Sequence, residues 1–127
     1  MTQELVLIVD DNEKNVKLAR DVLGFAGFRT LEARSGEAGI SLALEHLPGI
    51  ILLDIRLPDL DGSAVLRRLK DDERTRQIPV VALTSFAMKG DRERFLAEGF
   101  DGYLEKPISV TQFPAQVRAF CARAESA

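Results

Sequence analysis

The 127-residue chain contains no tryptophan, one tyrosine, one histidine and one cysteine. A lone Cys121 excludes an internal disulfide and any cysteine cluster for zinc or iron, and reads as an apolar filler at helical spacing. A lone His46, close before Pro48, excludes a cluster of histidine ligands and reads as a partly exposed residue near a helix end. No run of about twenty apolar residues offers a bilayer-spanning helix, so no membrane insertion is expected. Met1-Thr2-Gln3-Glu4 lacks the basic lead of a signal peptide. Seventeen basic against twenty acidic side chains give a formal charge of −3, which leaves no electrostatic footprint for direct nucleic-acid binding. There is no Gly-Lys-Ser/Thr phosphate loop, and Gly24-Phe25-Ala26-Gly27 falls at a helix exit rather than after a strand, so it is no dinucleotide fingerprint. No flavodoxin-type Ser/Thr/Gly-rich loop follows the first apolar run either. These absences leave a soluble, cytoplasmic chain with one core, a single domain over 1–127 whose core spans about 4–123.

What the chain does have is apolar runs that end in acids. Ile50-Ile51-Leu52-Leu53 is unbroken up to Asp54, and Leu5-Val6-Leu7-Ile8-Val9 runs directly into Asp10-Asp11-Asn12. Runs of this kind read as strands buried on both faces. Ile78 to Leu83 is another, ending at Thr84-Ser85. Phe28 to Ala33 is partly polar and suits a sheet edge, and Asp101 to Leu104 makes a short last strand before Glu105-Lys106-Pro107.

Between these runs, apolar residues recur at steps of three and four. Val16, Ala19, Leu23 and Ala26 predict a helix from Asn15 to Ala26 that frays at Gly24 and exits at Gly27. Ser35-Gly36-Glu37 opens a second helix carrying Ala38, Leu42, Ala43 and Leu47, stopped by Pro48-Gly49. Val65, Leu66 and Leu69 mark a third from Ser63 to about Asp72, after a loop in which Asp59 and Asp61 read as turn formers. Phe86 to Gly90 reads as loop or loose helix, followed by a helix with Phe95 and Leu96 that Asp91 caps and Gly99 ends. The last helix lies between Ser109 and Ala124 and uses Phe113, Val117, Phe120 and Cys121. Pro114 conflicts with a helix capped by Ser109, because its missing N–H forfeits a bond at up to ~3 kcal/mol. Either that helix starts irregularly, or its regular part begins near Phe113 with Pro114 in the first turn. Five strand–helix repeats predict an α/β fold, a doubly wound five-stranded parallel sheet with helices on both faces.

In such a sheet the strands' carboxyl ends face one way. Asp10, Asp11 and Asp54 then meet Thr84, Ser85 and Lys106 at one shallow site. Three crowded carboxylates repel unless a cation joins them, and an all-oxygen donor set suits Mg²⁺. With Lys106 as a point charge and the Thr84 hydroxyl as a donor, the set suits phosphoryl transfer to Asp54, which needs no general base because a carboxylate is already ionised. Taken singly, Asp10-Asp11 is equally a solvated turn or helix cap, Lys106 a surface lysine, Thr84 a strand-end hydroxyl and Tyr103 a half-buried ring.

Together, Asp10-Asp11, the segment Leu53-Asp54-Ile55-Arg56-Leu57-Pro58, Gly62, Thr84-Ser85 and Lys106-Pro107 resemble the receiver domain of two-component response regulators, over the whole chain. The run Thr84 to Asp91 and Lys106 to Ser109 is most similar to single-domain regulators of cell division and polarity. The same run also occurs in receivers attached to hybrid kinases or output domains. The resemblance implies sheet order 2-1-3-4-5 and a flavodoxin-like architecture. It implies Asp54 as phospho-acceptor and Mg²⁺, with Mn²⁺ as a substitute, on the side chains of Asp11 and Asp54 and the Arg56 backbone carbonyl. Asp10 then acts through metal-bound water. Lys106, Thr84 and the Ser85 backbone bind the phosphoryl group, the Lys106–Pro107 bond is cis, and Thr84 with Tyr103 forms a switch pair. Arg56, second after the acceptor, modulates phosphoryl lifetime. The implied partners are a sensor histidine kinase or histidine-phosphotransfer protein and a downstream protein effector, with self-phosphorylation and autodephosphorylation as the only chemistry. The competing enzyme class, an aspartyl-phosphate metal-dependent phosphohydrolase, wants an acid two residues after the nucleophile, where this chain has Arg56.

Overall fold

The computed structural model describes residues 4–85 and 89–126, with side chains through residue 121. Strands β1 (Leu5–Val9), β2 (Arg29–Ala33), β3 (Ile50–Asp54), β4 (Val80–Thr84) and β5 (Gly102–Glu105) alternate with helices α1 (Glu13–Phe25), α2 (Gly36–His46), α3 (Gly62–Asp71), α4 (Asp91–Glu98) and α5 (Phe113–Ser126). All strand pairs are parallel and the order is β2-β1-β3-β4-β5, as expected. The placement follows polarity. β3 and β4 are buried at every position and lie inside, whereas the more polar β2 and β5 form the edges.

Alternation along the strands divides the core in two. Leu7, Val9, Ile51, Leu53, Val80 and Ala82 face α2, α3 and α4, joined by Phe95 and Phe100. Val6, Ile8, Ile50, Leu52, Val81 and Leu83 face α1 and α5, joined by Leu23, Phe113 and Val117.

Helix ends depart from the periodic reading because capping, not burial, sets them. The Asn12 side chain accepts from the N–H groups of Lys14 at 3.0 Å and Asn15 at 3.2 Å, so α1 begins at Glu13 rather than Asn15. It ends at Phe25, with Gly24 inside it and Gly27 beyond it at φ 97°. Asp61 caps α3 through the Ala64 N–H at 2.8 Å. Asp91 is not a cap. Gly90, at φ 89°, holds that position without a side-chain bond, and Asp91 is the first helical residue, paired with Arg94 at 3.2 Å. Of the expected loop before it, residues 86–88 lie outside the described residues. β4 starts at Val80 and β5 at Gly102, each later than expected. Pro114 is the second residue of α5, where no intrahelical N–H is required, and Ser109 instead closes the preceding turn on Gln112 and Phe113.

Leu47 is a further correction. Rather than packing inward it ends α2 in the left-handed region, at φ 47° and ψ 63°, with 53% of its surface exposed. A side chain there costs roughly 1–2 kcal/mol that glycine avoids, less the extra entropy glycine loses on folding. Leu47→Gly is therefore expected to stabilise the protein by up to about 1 kcal/mol in urea unfolding. A lower midpoint than wild type would show that Leu47 makes a compensating contact.

Candidate functional site

Parallel strands deliver their carboxyl ends to one rim, and the acids stand there because β1 and β3 run out of apolar residues together. Asp10 is 1% exposed and Asp54 8%, whereas Asp11 is exposed. Carboxylate oxygens of the three lie within 4.8 Å of one another. Lys106 enters from the end of β5, where its N–H bonds the Thr84 carbonyl at 2.8 Å and the following peptide bond to Pro107 is cis. Its ammonium donates to Asp10 Oδ2 at 2.6 Å and to Asp54 Oδ2 at 3.0 Å.

The remaining oxygens of the two buried acids are held by backbone. Asp10 Oδ1 accepts from the Asn12 N–H at 2.9 Å and Asp54 Oδ1 from the Arg56 N–H at 3.0 Å. Burial pushes the Asp54 carboxyl up from its ordinary value. The Arg56 N–H and Lys106 pull it back, Asp10 adds to the rise, and burial prevails. For Lys106, burial is the largest single influence and disfavours the charge. Hydrogen bonds and Coulomb attraction from Asp10 and Asp54 together outweigh it and raise its pKa, so the ammonium stays charged.

Thr84 is 9% exposed at the end of β4, and Ser85 follows it at the surface. Tyr103 lies in β5, half-buried, its ring stacked on Phe95 of α4 with centroids 5.8 Å apart. Phe95 also meets Phe100 edge-on at 5.6 Å. The structure thus brings Asp10, Asp11, Asp54 and Lys106 together, joins Thr84 to them through the backbone of Lys106, and seats Tyr103 against Phe95 of α4. The Arg56 side chain is exposed, and its backbone touches Asp54. Asp59 does more than form a turn. Its carboxylate accepts from the Gly36 N–H at 2.7 Å and the Glu37 N–H at 3.0 Å, across to the start of α2. Nothing in the local sequence signals that contact.

A 2-1-3-4-5 parallel sheet with a three-carboxylate cluster and a lysine bonded into it at the strand ends is the architecture of a receiver. The chain belongs to the response regulator receiver domain family, whose sequence pattern matches residues 6–118. It is 49% identical over 115 residues to the polar-differentiation response regulator DivK of Brucella ovis, an alignment covering 91% of this chain and 94% of that one. Among solved structures, a putative response regulator from Chloroflexus aurantiacus superposes with a TM-score of 0.90 at 27% identity, covering 96% of this chain and all (100%) of the other. The receiver domain of the sensor histidine kinase PA1611 from Pseudomonas aeruginosa, solved with magnesium coordinated in its active-site cleft, gives a TM-score of 0.86 at 30% identity, with 95% and 99% covered. Among the described residues no helix is long and apolar enough to cross a membrane.

Proposed function

We propose that this chain is a stand-alone cytoplasmic receiver, one domain over 1–127, which takes a phosphoryl group from a phosphohistidine onto Asp54 and thereby changes its protein contacts. The observation that carries the reading is the Lys106 ammonium set between Asp10 and Asp54, a cation within reach of the one buried carboxylate that ends the central strand. In the transfer an Asp54 oxygen attacks phosphorus as the phosphorus–nitrogen bond of the donor breaks, with the electron pair leaving on the imidazole. Lys106 then exchanges a carboxylate oxygen for a phosphoryl oxygen, and the Thr84 hydroxyl and Ser85 backbone N–H take others.

The donor set of three carboxylates without histidine or cysteine fits a hard divalent cation. Asp11 and Asp54 would hold Mg²⁺, or Mn²⁺ in its place, together with the Arg56 carbonyl. Asp10, the more deeply buried of the two acids bonded to Lys106, would act through metal-bound water. When bound, the metal supplies neutralisation of charge on the phosphoryl oxygens. Arg56, exposed two residues after Asp54, modulates the phosphoryl lifetime. Phosphate at Asp54 offers Thr84 a new acceptor, and Tyr103 moves with it. The face of α4, β5 and α5 that carries Tyr103 meets the protein effector.

The donor, a histidine kinase or histidine-phosphotransfer protein, docks along α1 beside the site. Leu18 and Phe25 stand on that helix 38% and 98% exposed. Val22, Phe25 and Ala26 line an apolar cleft with Val110 and Pro114. Phe25→Ala is expected to slow transfer from a phosphohistidine protein about tenfold while leaving labelling by acetyl phosphate unchanged, the separation expected of a docking anchor. Equal losses with both donors would contradict it.

The direct test of the reading is incubation with acetyl phosphate and intact-mass measurement. One phosphoryl group should add in the presence of Mg²⁺ and none in EDTA. Rapid hydrolysis of many phosphomonoesters without a labelled protein would instead indicate a phosphohydrolase.

A further inference from the structure

We propose that Asp59 is a positioning residue for phosphoryl uptake: by pinning the loop after β3 to the first turn of α2, it holds the Arg56 N–H against Asp54. The proposal rests on the reading of Asp54 as phospho-acceptor.

The two oxygens of Asp54 are fixed from opposite sides. Lys106 holds Oδ2 from β5, a strand tied into the sheet. Oδ1 is held by the Arg56 N–H, which belongs to the loop of residues 55–61 between β3 and α3. What fixes that loop therefore fixes the orientation of the nucleophile.

At its base the loop is closed on itself. Gly62 donates its N–H to the Ile55 carbonyl at 2.8 Å, and Arg56 and Asp61 form an antiparallel bridge. A Cβ on Gly62 would lie 2.9 Å from the Ile55 Cα, so the closure is tight. The tip is held by Asp59. One oxygen accepts from Gly36 at 2.7 Å and from Leu60 at 3.0 Å, the other from Glu37 at 3.0 Å. Those from Gly36 and Glu37 are charge-assisted bonds from open N–H groups at a helix start, where the dipole also favours an anion. They hold the Asp59 carboxyl below its ordinary value, the bonds from Glu37 and Gly36 foremost. Leu60 follows Asp59 onto the same place, since a Cβ on Gly36 would meet the Leu60 Cβ at 3.0 Å. The loop thus lies directly on α2, with no room for a side chain between them. A donor that is held before the reaction need not be ordered during it, and small misplacements of such groups slow reactions sharply.

The experiment compares wild type with Asp59→Ala, Asp59→Asn and Arg68→Ala. Arg68 of α3 pairs with Glu37 at 2.5 Å, a separate polar tie to the start of α2, so its loss controls for a general loosening of that contact. Two quantities are read below the melting transition: the labelling rate at saturating acetyl phosphate and Mg²⁺, and amide hydrogen exchange at Arg56. Asp59→Ala should lower the saturated rate about tenfold and speed exchange at Arg56. Asp59→Asn, which keeps an acceptor of the same shape, should recover part of both, and Arg68→Ala should leave both at wild-type values. Wild-type behaviour of Asp59→Ala, or losses equal to those of Arg68→Ala, would overturn the proposal. If wild type itself takes no label, the receiver reading fails. Exchange at Arg56 then decides the positioning claim alone, and unchanged protection in Asp59→Ala overturns it.

Discussion

Lys106→Met is expected to lower the stability of the protein by about 3 kcal/mol at neutral pH, the cost of removing one partner from a buried ion pair. Methionine keeps the length and much of the volume of the lysine stem, so the loss isolates the charge. The three side chains concerned are 8% (Lys106), 2% (Asp10) and 12% (Asp54) exposed, and without the ammonium the two carboxylates face each other with little water between them. The pH dependence follows from the raised pKa of Lys106. A raised value means that the ammonium's contribution is complete below the ordinary lysine range and is lost as pH climbs through the higher, folded-state value. The gap between wild type and variant should therefore be constant through neutral pH. It should narrow only in strong alkali, or in acid where the Asp54 carboxyl takes up a proton. Urea unfolding across that range measures it, and a variant as stable as wild type at pH 7 would show that water already screens the pair.

Asp54→Asn is expected to act in the opposite direction on stability while abolishing phosphoryl labelling. Burial, with the neighbouring Asp10 adding to it, raises the Asp54 carboxyl above its ordinary value. A raised carboxyl favours the folded state when protonated, so this stabilising contribution is present at low pH and lost as pH rises through the folded value. At neutral pH, with the group ionised, the asparagine variant should melt above wild type, and the difference should shrink as pH falls into the carboxylate range. Asparagine still accepts from the Arg56 N–H, so the loop need not move. The labelling loss is complete because an amide oxygen cannot form the acyl phosphate. Residual stoichiometric labelling would place the acceptor elsewhere, and a lower melting temperature would mean that the Lys106–Asp54 contact outweighs the burial of the charge.

Much of the architecture was legible because burial on both faces leaves an unmistakable pattern. Ile50 to Leu53 and Leu5 to Val9 have no polar interruption, and the partly polar Arg29 to Ala33 goes to the edge, where one side of the strand lacks a partner. The gathering of Asp10, Asp11, Asp54 and Lys106 followed from the same pattern, since parallel strands leave their ends on one rim. The roles assigned to Thr84, Ser85, Arg56 and Tyr103 came from likeness to a family, because nothing in their spacing states a function. Element ends are less legible. Asn12 and Gly90 set the starts of α1 and α4 through caps that periodicity ignores, and the left-handed turn at Leu47 contradicts the preference of its own side chain. Distant contacts that do not follow from the strand ends sharing one rim are not legible in the sequence. Asp59 reaches Gly36 across 23 positions, and the stacking of Phe95 on Tyr103 depends on how α4 lies against β5.

The central claim, an acyl phosphate on Asp54, is open to one chemical measurement. Protein labelled with acetyl phosphate and Mg²⁺ is reduced with borohydride, which converts an aspartyl phosphate to homoserine, and is then digested and sequenced by mass spectrometry. Homoserine at position 54 and at no other acid is the predicted result. Homoserine at position 10 or 11, or label that survives the reduction, would contradict it.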